Sequence, residues 1–224
     1  GLYVYGELPL FVVRIAAEIT QIVHADQALA TADPNDDIIA ANWTGYNGIH
    51  LVGRTVSAVT DLLAMGVIFL IGCRLFGRWV GLLTITLYAG AVLPIQLAHF
   101  WTTDAFTTLP VVLTMYFAIR IRERGRYSDF IWAGVFMGCA LASRINTLPF
   151  AAIIVLAAAI YALPGWDRRL VWRERNRLFS RAVLGVLVAG LFTVFTFRFT
   201  NPHAFTGGSG ILGVFNLINF DPES

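Results

Sequence analysis

Lysine is absent from this 224-residue chain; all sixteen basic residues are arginine. Charge of either sign is scarce, at 13% of residues, about half the share of an ordinary soluble domain. That scarcity excludes a normally solvated globular surface. The net charge of +2 decides little, and no nucleic-acid partner is expected. Only two cysteines occur, Cys73 and Cys139, both inside apolar runs, which excludes a disulfide framework and leaves them as small core residues. No internal repeat and no low-complexity tract interrupts the chain. A signal-like basic n-region is missing too. Gly1 opens inside an aromatic-rich stretch, and Asp221-Pro222-Glu223-Ser224 follows a loop, so further sequence is expected on both sides.

What the chain does have is apolar length. Apolar residues make up 57% of it, with a mean hydropathy of +0.69. A helical crossing of a bilayer needs about 20 such residues. Residues 51–73, 80–98, 105–121, 130–143, 146–163 and 180–199 are the apolar segments. They predict an all-α, polytopic transmembrane bundle of six crossings, the shortest of which, 130–143, must be tilted, partly buried or helped by local thinning. Twelve of the sixteen arginines fall in three connections: Arg74 and Arg78; Arg120, Arg122, Arg124 and Arg126; and Arg168, Arg169, Arg173, Arg175, Arg177 and Arg181. These are alternate connections, as one side of a six-pass protein requires, and the positive-inside rule makes that side cytoplasmic. Arg14, Arg54, Arg144 and Arg198 remain for the other side.

Residues 8–23 differ in kind. Arg14, Glu18 and Gln21 recur at helical spacing, and Pro9 suits a first turn. At ~1.5 Å per residue this helix spans about 24 Å, short for a crossing, and it is expected to lie in the external interface. A seventh crossing is the rival reading, but it would upset the arginine pattern. Residues 24–50, with four aspartates around a Pro-Asn turn, read as a solvated loop, in which Asn42-Trp43-Thr44 matches a common glycosylation triplet. The expected organisation is a single transmembrane domain over 1–224: an external loop 1–50 carrying the interfacial helix, a bundle over 51–199, and an external loop 200–224.

Chemistry is expected where polar groups meet water at one face. His99-Phe100-Trp101-Thr102-Thr103-Asp104 is a tight external connection, and Asp104 opens the next helix, where the dipole favours a carboxylate. The plain alternative is that Thr103 or Asp104 only caps that helix. Asp61 lies within the first crossing on the face of Arg54 and Ser57, either as an interhelical contact or as a functional group. Arg144 and Arg198 stand at external helix ends, where they either snorkel or hold an anionic headgroup. The loop around His203 carries four glycines without a phosphate-loop lysine, which argues against nucleotide binding. His24, His50, His99 and His203 are all external, yet no ligand spacing supports a metal, so a divalent ion stays an open option and no cofactor is assigned.

Several short stretches, in this order, resemble the family-39-like glycosyltransferases of the GT-C fold, which include protein O-mannosyltransferases and the lipid A aminoarabinose transferase. They are Tyr5-Gly6-Glu7-Leu8-Pro9-Leu10-Phe11, Gly53-Arg54-Thr55-Val56-Ser57-Ala58, Arg74-Leu75-Phe76-Gly77-Arg78, His99-Phe100 with Asp104, Gly134 to Arg144, and Asn201-Pro202-His203-Ala204-Phe205. The resemblance covers most of the chain. It implies inverting sugar transfer from a polyprenyl-phosphate donor to a protein, lipid or glycan acceptor at the extracytoplasmic face of a prokaryotic plasma membrane. It also implies that Asp104 matches the acid of the second external loop and Arg144 the basic residue ending the short helix. The principal acid of the first external loop would precede Gly1, and Glu7 departs from the residue expected at its position. Glu7, Arg54, His99, Arg144, Arg198 and His203 are the substrate-binding candidates, with Asp104 catalytic. A secondary transporter using Asp61 and Arg54, or a non-catalytic subunit binding a lipid-linked sugar, are the rival readings.

Overall fold

The computed structural model describes residues 7–23, 43–44, 46–92, 96, 103–163 and 172–201. These form α1 (Leu8–Val23), α2 (Tyr46–Phe76), α3 (Arg78–Ala89), α4 (Thr103–Arg124), α5 (Tyr127–Ser143), a 3-10 segment (Ile145–Phe150), α6 (Ala151–Ala162) and α7 (Trp172–Thr200). Among the described residues there is no β-strand, as an all-α bundle requires. Among the described residues, four stretches are long and apolar enough to cross a membrane: Gly48–Phe76, Asp104–Arg124, Ile145–Ala162 and Asn176–Thr200. The chain is an integral membrane protein.

Two helices outside these four stretches, α3 and α5, occupy the places of segments 80–98 and 130–143. α5 is short because it is the centre of the bundle and not a lipid-facing crossing. It packs on both α4 and α7, and Phe130, Ala133, Met137, Ala140 and Ala142 are wholly buried. Alanines from α4, α6 and α7 supply most of the remaining core. Small residues let helices approach closely where lipid offers no hydrophobic drive to associate. The seam of α5 with α7 shows the effect. A Cβ on Gly134 would collide with the Ala189 backbone, and one on Gly138 with Thr193 and Thr196. Phe130 meets Gly185, Gly134 meets Ala189 and Gly138 meets Phe197, so α5 and α7 run parallel and both end at the same side of the bundle.

Helix boundaries extend past the apolar segments. Residues 46–50, expected in a loop, begin α2, because Ile49 and Val52 pack with Val13 and Ala17 of α1. Arg120, Arg122 and Arg124 complete α4 instead of forming a connection, in keeping with basic residues at a helix C-terminus. The helix α1 buries Pro9, Val13 and Ala17 and exposes Leu10, Phe11, Ile15, Ile19 and Ile22. Arg14 and Glu18 form an exposed ion pair of 2.9 Å one turn apart, worth less than about 0.5 kcal/mol.

Candidate functional site

Two ends of the bundle can be told apart by their ion pairs. At the arginine-rich end, Arg74 grips Glu123 with Nε 3.0 Å and Nη2 2.5 Å from Oε2, and its guanidinium lies over the Tyr116 ring at 5.6 Å. Close by in sequence, Arg120 Nε approaches Asp129 Oδ1 at 2.8 Å, with the Asp129 side chain wholly buried. These contacts tie α2 to α4 and α4 to α5.

The opposite end carries two ion pairs among the described residues, Arg14 with Glu18 within α1 and Arg144 with Asp104 between two helices. Each partner is positioned by its backbone. Asp104 lies in the first turn of α4, followed by buried Ala105, Phe106 and Thr107. Phe106 packs under α1 beside Val13, Ala17 and Val52, which fixes that turn against α2. Arg144 sits where α5 gives way to the 3-10 segment, with extended backbone at φ −155° and ψ 118°. Its N–H donates to the Ala140 carbonyl at 2.9 Å. Its own carbonyl accepts from the Thr147 N–H at 3.1 Å and the Thr147 hydroxyl at 2.8 Å. The break in the helix therefore aims the guanidinium sideways at α4. Both side chains stay about one third exposed, 30% for Arg144 and 34% for Asp104, so solute can reach them.

Asp104 is thus not limited to capping. It falls within the helix, and its carboxylate goes to Arg144. The other described candidates belong to other parts of the fold. Glu7 stands just before α1, with its carbonyl accepting the Phe11 N–H at 3.1 Å. Arg54 is exposed on α2, two residues after Val52. Arg198 is exposed at the end of α7, on the same side as Arg144 because α5 and α7 are parallel. His99 and His203 lie outside the described residues. Asp61, within the span, accepts a 2.7 Å hydrogen bond from the Tyr88 hydroxyl and so links α2 to α3. Ser57, fully buried one turn before it, has no hydrogen-bond partner for its hydroxyl among the described residues. Also among the described residues, no group of three or more His, Cys, Asp or Glu converges on a metal-sized space.

The buried Asp129 and the tie from Arg74 to Glu123 were not foreseen from sequence. Arginine density drew attention to that end, but the acids among the arginines carried the available signal.

No curated protein and no solved structure matches the chain. A family model described as dolichyl-phosphate-mannose-protein mannosyltransferase matches residues 47–197. The matched stretch runs from the first turn of α2 to the last turns of α7 and includes both Asp104 and Arg144, while Glu7, α1 and Arg198 fall outside it. With well over half of its length matched across a bundle of apolar helices, the chain belongs to the dolichyl-phosphate-mannose-protein mannosyltransferase family, membrane glycosyltransferases of the GT-C type.

Proposed function

We propose that this chain is the membrane portion of an enzyme that moves a sugar from a polyprenyl-phosphate donor to a protein, lipid or glycan hydroxyl at the extracytoplasmic face. The observation that carries the reading is the partly exposed pairing of Asp104 with Arg144 at the arginine-poor end of the bundle. By the positive-inside rule that end faces away from the cytoplasm.

The reaction asks for two kinds of group. The acceptor oxygen forms a bond to the anomeric carbon while the bond from that carbon to the phosphate oxygen breaks. The phosphate departs with the electron pair, so negative charge grows on it and a fixed cation lowers the barrier. The acceptor hydroxyl loses its proton, which a carboxylate can take. Attack opposite the leaving phosphate inverts the anomeric centre. In this reading Arg144 holds the donor phosphate, with Arg54 and Arg198 as further cationic contacts. Asp104 orients Arg144 and assists proton transfer, with Glu7, His99 and His203 as further substrate-contact candidates. A divalent ion would supply the same charge stabilisation as an arginine.

The test is Asp104→Asn in the full-length protein, assayed for transfer from a polyprenyl-phosphate sugar with folding checked in parallel. Asparagine replaces the charge but keeps the shape, so a loss on the order of 100-fold or more is expected for a lost acid–base role. Near-normal turnover in a well-folded variant would remove Asp104 from the site.

A further inference from the structure

At the arginine-rich end, a cleft of about 370 Å³ opens between the last turn of α6 and the first turns of α7. Tyr161, Glu174, Arg177, Leu178 and Arg181 line it. We infer that this cleft is a binding site for the phosphate headgroup of an anionic membrane lipid, separate from the Asp104 and Arg144 site at the other end of the bundle.

Its build matches an amphiphile lying across the membrane border. α6 carries no charged residue along its whole length, and α7 is free of charge from Ala182 to Phe197. The two arginines therefore stand at the point where apolar helix surface ends. Arg177 and Arg181 are four residues apart and share one helix face, with Leu178 and the Tyr161 ring beneath them as an apolar floor. Arg181 is held in place, its guanidinium 6.0 Å from the centre of the Tyr127 ring. Tyr161 is held as well, because its ring presses on Gly125, which has φ +55° and no room for a Cβ. A guanidinium fixed in this way presents paired N–H donors that suit phosphate oxygens. Glu174, one turn before Arg177, leaves the described lining residues with one net positive charge. That suits a phosphodiester with its single negative charge better than a doubly charged free phosphate.

The experiment uses the full-length protein in detergent, with phosphatidylglycerol and phosphatidylcholine offered in equal amounts and retained lipid counted by native mass spectrometry. Wild type should retain phosphatidylglycerol selectively. Arg177→Gln with Arg181→Gln should lower that retention on the order of tenfold, since each cation near the headgroup contributes separately. Arg78→Gln with Arg122→Gln removes the same charge from the same end away from the cleft, and should leave retention unchanged. Equal losses in the two double variants would show a diffuse charge effect and overturn the site, as would no loss in either. Inorganic phosphate at millimolar concentration should not displace the lipid; full displacement would make the cleft a free-phosphate site and overturn the lipid assignment. Arg177→Gln alone, an exposed change that does not threaten folding, should already lower retention severalfold. Sugar transfer is not the readout, so the outcome is independent of the proposed enzyme activity.

Discussion

Asp104 and Arg144, forty residues apart in sequence, are joined by an ion pair that ties the start of α4 to the end of α5. A pair about one third exposed contributes at most about 1 kcal/mol to stability, so its placement matters more than its strength. If holding the helix ends together were its whole purpose, exchanging the partners would preserve everything. In the full-length protein, Asp104→Arg combined with Arg144→Asp should restore the thermal stability lost in either single variant while leaving transfer at least about 100-fold below wild type. Recovery of turnover along with stability would show a purely structural tie.

Arg144 and Arg198 should also separate kinetically. Arg144→Ala removes both charge and geometry from the donor phosphate, whereas Arg198→Lys keeps the charge. Donor KM should rise at least tenfold in the first variant and change little in the second, measured by initial rates against donor concentration. Wild-type donor kinetics in Arg144→Ala would return that residue to snorkelling.

Sidedness gives a third expectation. Applied to the three arginine clusters, the positive-inside rule predicts residues 120–129 and 164–180 on the cytoplasmic side and 24–50 and 200–224 outside. With Cys73 and Cys139 replaced, a cysteine at position 33 should react with a membrane-impermeant reagent on intact cells, and one at position 122 only after permeabilisation. The reverse pattern would invert the bundle and move Asp104 to the cytoplasm.

Much of this fold was legible because the bilayer enforces it. Apolar length alone located α2, α4 and α7, and the resemblance, not the pattern, drew Asp104 and Arg144 toward one site. Three things were hidden. The helix ends ran past the apolar segments because polar residues such as Asn47 and Arg124 continue a helix into the interface without any change of backbone. The central position of α5 was not visible in its composition, since a buried helix and a lipid-facing one are both apolar. The partners of Arg74 and Arg120 depend on helix rotation, which the even hydrophobicity of α4 and α5 does not specify. Meanwhile Gly134 and Gly138 were read only as part of a glycine-rich short helix, although their spacing of four is that of a close helix contact.

Asp129 tests the arginine-rich end. Its carboxylate is wholly buried, with Arg120 as its charge partner at 2.8 Å. Removing one member of a buried pair strands the other, at a cost of about 3–5 kcal/mol, while replacing both by apolar groups can be neutral. Arg120→Met leaves the buried carboxylate alone and should therefore lower the unfolding midpoint sharply, whereas Arg120→Met with Asp129→Leu should recover most of it. A double variant no better than Arg120→Met alone would mean that the charge itself is needed at that end.

The final expectation concerns the seam that sets the direction of α5. Gly134 and Gly190 are both helical glycines, and helix propensity alone says that alanine should stabilise either position by up to about 1 kcal/mol. Their surroundings differ. A Cβ at Gly190 would meet nothing within 4 Å. At Gly134 it would run into the backbone of Ala189, where the Thr193 hydroxyl also reaches the Gly134 carbonyl at 3.1 Å. Backbone cannot rotate out of the way as a side chain can, so relief requires α7 to move away from α5. Overpacking of that kind costs about 1–3 kcal/mol, enough to outweigh the propensity gain. Gly190→Ala should therefore leave the thermal inactivation half-life in detergent unchanged or longer, and Gly134→Ala should shorten it. Because α5 ends at Arg144, displacement of the seam should also lower transfer activity at temperatures where Gly134→Ala remains folded. Equal, neutral behaviour of the two variants would mean that α5 and α7 are not in contact along this face.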